Sequence, residues 1–155
     1  LNWSDQVNEG ISNAGEGGSV FPGVAEALRA AAEYADIVVV SSANQEALLR
    51  EWEPFLQSGI VKRMMSQNDG SKSECIKTLL AGGYRPDPTR MIGDAPGDRN
   101  AAESNHILFY PILAGKEARC WQQFREQALH RLLDRTFAGA YQDALETEFL
   151  AHLCQ

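Results

Sequence analysis

The stretch "DIVVVSSAN", Asp36–Asn44, decides the fold. Ile37–Val40 are four consecutive β-branched residues with no polar residue among them. A strand with one wet face alternates apolar and polar positions. An unbroken apolar run fits a strand buried on both faces, as in a parallel sheet covered by helices. The run stops at Ser41 and Ser42, and Asn44 is a suitable N-cap for a following helix.

The pattern repeats outward. Upstream, Pro22 opens "PGVAEALRAAAEYA", with Val24, Ala27, Leu28, Ala31 and Ala35 at helical spacing. Downstream, "NQEALLREWEPFLQ" predicts a helix bent or ended near Pro54. "GIVKRMMS" is a second strand and "QNDG" a turn. "SKSECIKTLLAGG" is a helix whose Ser71 and Glu74 form a capping box and whose end is marked by Gly82 and Gly83. "TRMIG" is a short strand, "DRNAAES" a short helix and "HILFYPIL" a fourth strand. Two helices close the chain, roughly 116–134 and 138–152. Trp121, Phe124, Ala128 and Leu132 line the inner face of one; Tyr141, Leu145, Phe149 and Leu153 line that of the other. Residues 1–20 read as a linker or the remnant of another element, with a short helical piece near Trp3 to Ile11 and a loop at "SNAGEGGS". Strands alternating with helices over 21–155 predict one α/β domain with a mostly parallel sheet.

The 155 residues are enough for one domain with a sizeable core. A formal net charge of −7 argues against nucleic acid or an anionic membrane as partner. No apolar run approaches the ~20 residues of a membrane span. Cys75, Cys120 and Cys154 are odd in number and far apart, which predicts reduced thiols in a cytoplasmic protein. His106, His130 and His152 show no metal-ligand spacing.

Ligands of such sheets bind beyond the carboxyl ends of the strands, so Ser41, Ser42, Gly93 and Asp94 draw notice. "MIGDAPGDRNAA", Met91–Ala102, sets Asp94 and Asp98 one helical turn apart. They are either turn and capping residues or a hard-cation site. Mg²⁺ takes one or two carboxylates with waters and phosphate oxygens, and a divalent ion removes the repulsion between neighbouring carboxylates. Lys72 stands in the first turn of its helix, where the dipole disfavours a cation by ~0.3–1 kcal/mol. It is either an exposed lysine or one aimed into the crevice to hold an anion or a carboxylate. Ser41 and Ser42 are either turn and capping residues or phosphate donors, through a hydroxyl and the free backbone amides expected at a strand's end.

Taken in order, "IVVVSSAN", then Lys72 opening "SKSECIKTLLAGG", then "MIGDAPGDRN" resemble the second, third and fourth motifs of the haloacid dehalogenase-like (HAD) hydrolase superfamily. The resemblance runs from about Phe21 to Ile112, and "FPGVAEALRAA" looks like the segment that returns the chain from the cap to the core. It implies a Rossmann-like three-layer sandwich. It also implies a Mg²⁺-dependent phosphatase of small phosphorylated metabolites, working through an aspartyl-phosphate. Ser41, Lys72 and Asp98 would then be catalytic. Ser41, Ser42 and Lys72 would hold the phosphate. Asp94 would ligate the metal, and Asp98 would support the metal shell or orient Lys72.

The same resemblance implies a first motif, a D-x-D pair after the first strand, that supplies the nucleophile. No apolar strand followed by such a pair precedes Phe21: Asp5 follows "LNWS", Asp36 precedes its strand, and Asp69 and Asp87 lie in turns. The expectation is a core lacking its first strand and most of the cap, completed by an N-terminal segment of the same protein that lies before Leu1. A catalytically inactive relative that binds phosphate or serves as a scaffold remains the alternative. A plain doubly wound binding module with acidic caps is a third reading, outside the superfamily.

Overall fold

The computed structural model describes residues 23–155. The expectations for Trp3–Ile11, the linker over 1–20, and Phe21 and Pro22 fall outside the described residues.

Helix α1 (Val24–Ala32) buries Val24, Ala27, Leu28 and Ala31, the expected stripe. Ala35 lies past its end, in a turn whose amide bonds the Ala31 carbonyl. Strand β1 (Ile37–Val40) follows, with every residue buried at 1–2% exposure, as the unbroken run requires. Asn44 caps α2 (Gln45–Gln57), its side chain accepting from the Ala47 amide at 2.9 Å. The helix runs through Pro54 and ends one turn later at Gln57, the last residue of the expected stretch. Proline removes one bond, to the carbonyl of exposed Arg50, where water can replace it. Meanwhile Trp52 and Phe55, with ring centroids 5.4 Å apart, hold the last turns on the core.

Strand β2 (Val61–Met65) pairs parallel with β1, and a 3₁₀ turn over Gln67–Asp69 leads to α3 (Lys72–Ala81). Strand β3 (Arg90–Gly93), helix α4 (Pro96–Ser104) and strand β4 (Leu108–Pro111) form a second parallel unit, with Arg90 opposite Leu108 and Gly93 opposite Pro111. Helix α4 begins at Pro96, earlier than the "DRNAAES" reading, because proline's fixed φ suits the first helical position.

The architecture is therefore mixed α/β with parallel strands. Where the sequence predicts one sheet, the described strands form two parallel pairs, β1–β2 and β3–β4. Side chains of both pairs, among them Ile37, Val39, Met91 and Ile92, enter one core.

The next helical stretch comprises α5 (Glu117–Gln123), a π turn over Phe124–Ala128, and α6 (Leu129–Leu133). Trp121, Phe124, Ala128 and Leu132 are all buried, as their spacing predicts. Phe124 meets Tyr110 and Trp121 edge-on, at 5.4 and 6.0 Å. Helix α7 (Ala140–Leu153) buries Leu145 and Phe149. Leu153 does not line its inner face: it is 42% exposed, because it lies in the last turn, beyond the core. No helix among the described residues is long and apolar enough to cross a membrane. Cys75 and Cys120 are buried, Cys154 is exposed, and all three are unpaired.

Phe124 is fully buried where β4, α5 and the π turn meet. Phe124→Ala should lower stability by about 3–5 kcal/mol, the usual cost of a phenyl-sized cavity. Urea denaturation measures it, and a loss below about 1 kcal/mol would contradict this packing.

Candidate active site

Helix α3 starts on its capping box. Ser71 Oγ accepts from the Glu74 amide at 3.1 Å, and Glu74 Oε1 accepts from the Ser71 amide at 3.0 Å. The amide and hydroxyl of Ser71 hold the Glu74 carboxyl below its ordinary value. This cap fixes the first turn, and so the Cα of Lys72.

From there Lys72 reaches α4. Its Nζ lies 2.7 Å from Asp98 Oδ1, with side-chain exposures of 12% and 0%. The other carboxylate oxygen, Asp98 Oδ2, accepts from the backbone amides of Asp94 (3.1 Å) and Ala95 (3.0 Å). Burial pushes the Asp98 carboxyl up from its ordinary value. The Lys72 charge and hydrogen bond, then the Ala95 and Asp94 amides, act in the opposite sense. Asp98 is thus both the cap of α4 and the partner of Lys72. The two readings of this residue, cap or functional carboxylate, are not exclusive.

Gly93 makes this possible. A Cβ at position 93 would overlap the Asp98 carboxyl group and its Cβ. The glycine before Asp94 is there for a close approach, not for an unusual φ. The sequence signal was present, a glycine at a strand's end four residues before a helix-capping aspartate's neighbour, but only the contact reveals its purpose.

Ser41 is 2% exposed; its amide donates to the Met65 carbonyl and its Oγ accepts from the Ala43 amide at 3.0 Å. Ser42 is exposed and shares with Lys72 an open cavity of about 440 Å³. Ser71, Ser73, Gly97 and Asn100 also line it. The turn after β1, the start of α3 and one side of α4, from Gly97 to Ser104, therefore meet at one opening, whereas Ser41 and half-buried Asp94 are not among the residues that line it.

Sequence reasoning did not find the polar seam that forms part of the cavity wall. Ser73 Oγ and Ser104 Oγ are 2.8 Å apart. Asn105 Nδ2 donates to the Ser73 carbonyl (3.1 Å), Ser73 Oγ (3.1 Å) and the Ala101 carbonyl (2.9 Å). Serines and an asparagine at helix ends are common enough to hide such a role. Asp36, set aside as a nucleophile, accepts from the Tyr84 hydroxyl at 2.7 Å.

Among the described residues, no group of three or more His, Cys, Asp or Glu is placed to hold a metal ion. The donor chemistry still suits Mg²⁺, which needs only one or two protein carboxylates when waters and phosphate supply the rest. Both oxygens of Asp98 already have protein partners. Compared with protein-family models, curated proteins and solved structures, the chain gives no match.

Asp98→Ala strands the Lys72 ammonium in a site that is 12% exposed; a stability loss of about 3–5 kcal/mol is expected in urea denaturation. Gly93→Ala should cost about 1–3 kcal/mol by overpacking against Asp98. If either variant matches the parent, the carboxylate does not organise this turn.

Proposed function

We propose that the chain belongs to a Mg²⁺-dependent HAD-like phosphatase, with a Rossmann-like core, acting on a small phosphorylated metabolite. One observation carries the reading: Lys72, against the preference of its helix dipole, is held 2.7 Å from a buried carboxylate at the mouth of a cavity it shares with Ser42. A lysine anchored in this way keeps its charge in one place, which is what neutralising a phosphate requires. The same contact favours Asp98 as the residue that orients Lys72 over Asp98 as a direct metal ligand.

The roles follow from chemistry. Ser41 and the Ser42 backbone donate to the phosphoryl oxygens. Lys72 neutralises the phosphate and the attacking carboxylate. Asp94 binds Mg²⁺, which supplies charge stabilisation to the transferring group. The nucleophile is an aspartate carried by a segment other than those described; its carboxylate attacks phosphorus as the ester P–O bond breaks and the alcohol leaves with a proton from a general acid, and water then hydrolyses the aspartyl-phosphate to phosphate and the free carboxylate.

That segment has a natural position. Among the described strands β1 pairs only with β2 and β3 only with β4, while both pairs share a core. A parallel strand added between β1 and β3 would join the pairs into one sheet and set its carboxyl end beside Ser41 and Asp94. The three unpaired cysteines agree with a cytoplasmic location.

The test is hydrolysis of p-nitrophenyl phosphate by the full-length protein with and without Mg²⁺. Asp94→Asn should lower kcat/KM by at least about 10²-fold and remove the Mg²⁺ dependence. Undiminished activity in Asp94→Asn rules out its metal role. Phosphate binding without turnover in the parent would instead identify an inactive, phosphate-binding relative.

A further inference from the structure

A second cationic feature lies at the other end of β3. Arg90 opens that strand and Asp94 follows its last residue, so at ~3.3 Å per residue the two are about 13 Å apart along the chain. Arg90 is 7% exposed, an unusual burial for a guanidinium. Its Nη1 donates to the backbone carbonyls of Asp87 and Thr89. Its Nε is buried with no hydrogen-bond partner. Among the described residues no carboxylate forms an ion pair with it.

The neighbouring loop adds a second cation. Arg90, Asp87, Leu108, Arg135, Phe137 and Ala138 line a cavity of about 90 Å³. Arg135 has φ 64°, a left-handed conformation uncommon for a residue with a side chain. The loop is locked in that shape. Asp134 Oδ1 accepts from the Thr136 amide (3.2 Å) and hydroxyl (2.5 Å), and the Thr136 amide also donates to the Arg131 carbonyl at 2.8 Å. Burial presses the Arg90 guanidinium below its ordinary value; Asp87 opposes this and Arg135 adds to it. Two arginines face one aspartate, so the cavity keeps an excess positive charge.

We infer that this cavity is a binding site for one small oxyanion, a phosphate or carboxylate group, gripped by the Nε edge of Arg90 and by Arg135. The fit is chemical. The carbonyls of Asp87 and Thr89 occupy one side of the guanidinium and leave the Nε–Nη2 side, whose parallel donors match a two-oxygen acceptor. An oxyanion there satisfies the orphan Nε and screens the repulsion between the arginines. The site is independent of the proposed phosphatase chemistry, since it lies at the opposite end of β3 from Asp94.

The test is a titration of the ¹⁵N-labelled full-length protein with inorganic phosphate and, separately, acetate, at constant ionic strength. The Arg90 Nε–H and the amides of Arg135 and Phe137 should shift saturably. The signals of Ser42 and Lys72 report separately on the phosphatase site. Tighter binding of phosphate than acetate marks a phosphate site, and the reverse marks a carboxylate site. Arg135→Ser, an exposed change that leaves the core intact, should weaken binding about tenfold, the value of one charge-assisted hydrogen bond. Arg90→Gln should abolish it; if that variant fails to fold, Arg135→Ser decides. No saturable shift at Arg90, equal affinity in Arg135→Ser, or equal shifts with chloride would overturn the assignment.

Discussion

The contact between Lys72 and Asp98 organises more of this molecule than any other. Removing two charges from water costs several kcal/mol per ion, and the cost is recovered only when every lone pair is used well. Here it is. One oxygen of Asp98 meets the ammonium at 2.7 Å, and the other takes two backbone amides of the turn that follows β3. The carboxylate therefore sets the path of residues 93–95, starts α4 and fixes the direction of Lys72 from α3. Gly93 leaves the space this needs. A side chain at that position would push the carboxylate away from at least one of its partners.

The ion pair also heads a line of polar contacts between α3 and α4. Behind it come the Ser73–Ser104 hydroxyl pair and the amide of Asn105, which reaches both the backbone and the side chain of Ser73. Helix α3 connects β2 to β3, so this line fastens the connection between the strand pairs. The proposed anion cavity stands at the other end of β3, where Arg90 and Arg135 replace carboxylate and lysine. One short strand thus separates two charged environments, one with its charges matched and the other with an excess of cations.

How much of this could be read from the residues depends on whether a feature is local. The caps could be read, because Asn44 and Ser71 bond to amides three residues away. So could the buried run Ile37–Val40, since burial on both faces removes polar alternation. The pairing of Lys72 with Asp98 enters only through the family resemblance, as one of the two roles it implies for Asp98. It spans 26 positions, and no spacing rule connects them. Pro54 marks the last turn of its helix, as a proline near a helix end can when the freed carbonyl meets water and the aromatic residues around it stay packed. Leu153 misled because periodicity does not say where the core stops. The π turn over Phe124–Ala128 and the division of the strands into two pairs depend on tertiary packing alone.

That division has a consequence for cooperativity. Strands exchange backbone bonds only within each pair among the described residues, so no ladder ties β1 to β3. What crosses between the halves is side-chain packing, the α3 connection and its polar seam. Amide exchange should then sort the chain into two protected units, β1–β2 with α2 and β3–β4 with α4 and α7, that open with separate free energies. A strand laid between them would merge the two units into one, so that folding of the whole would become a single event coupled to completing the sheet.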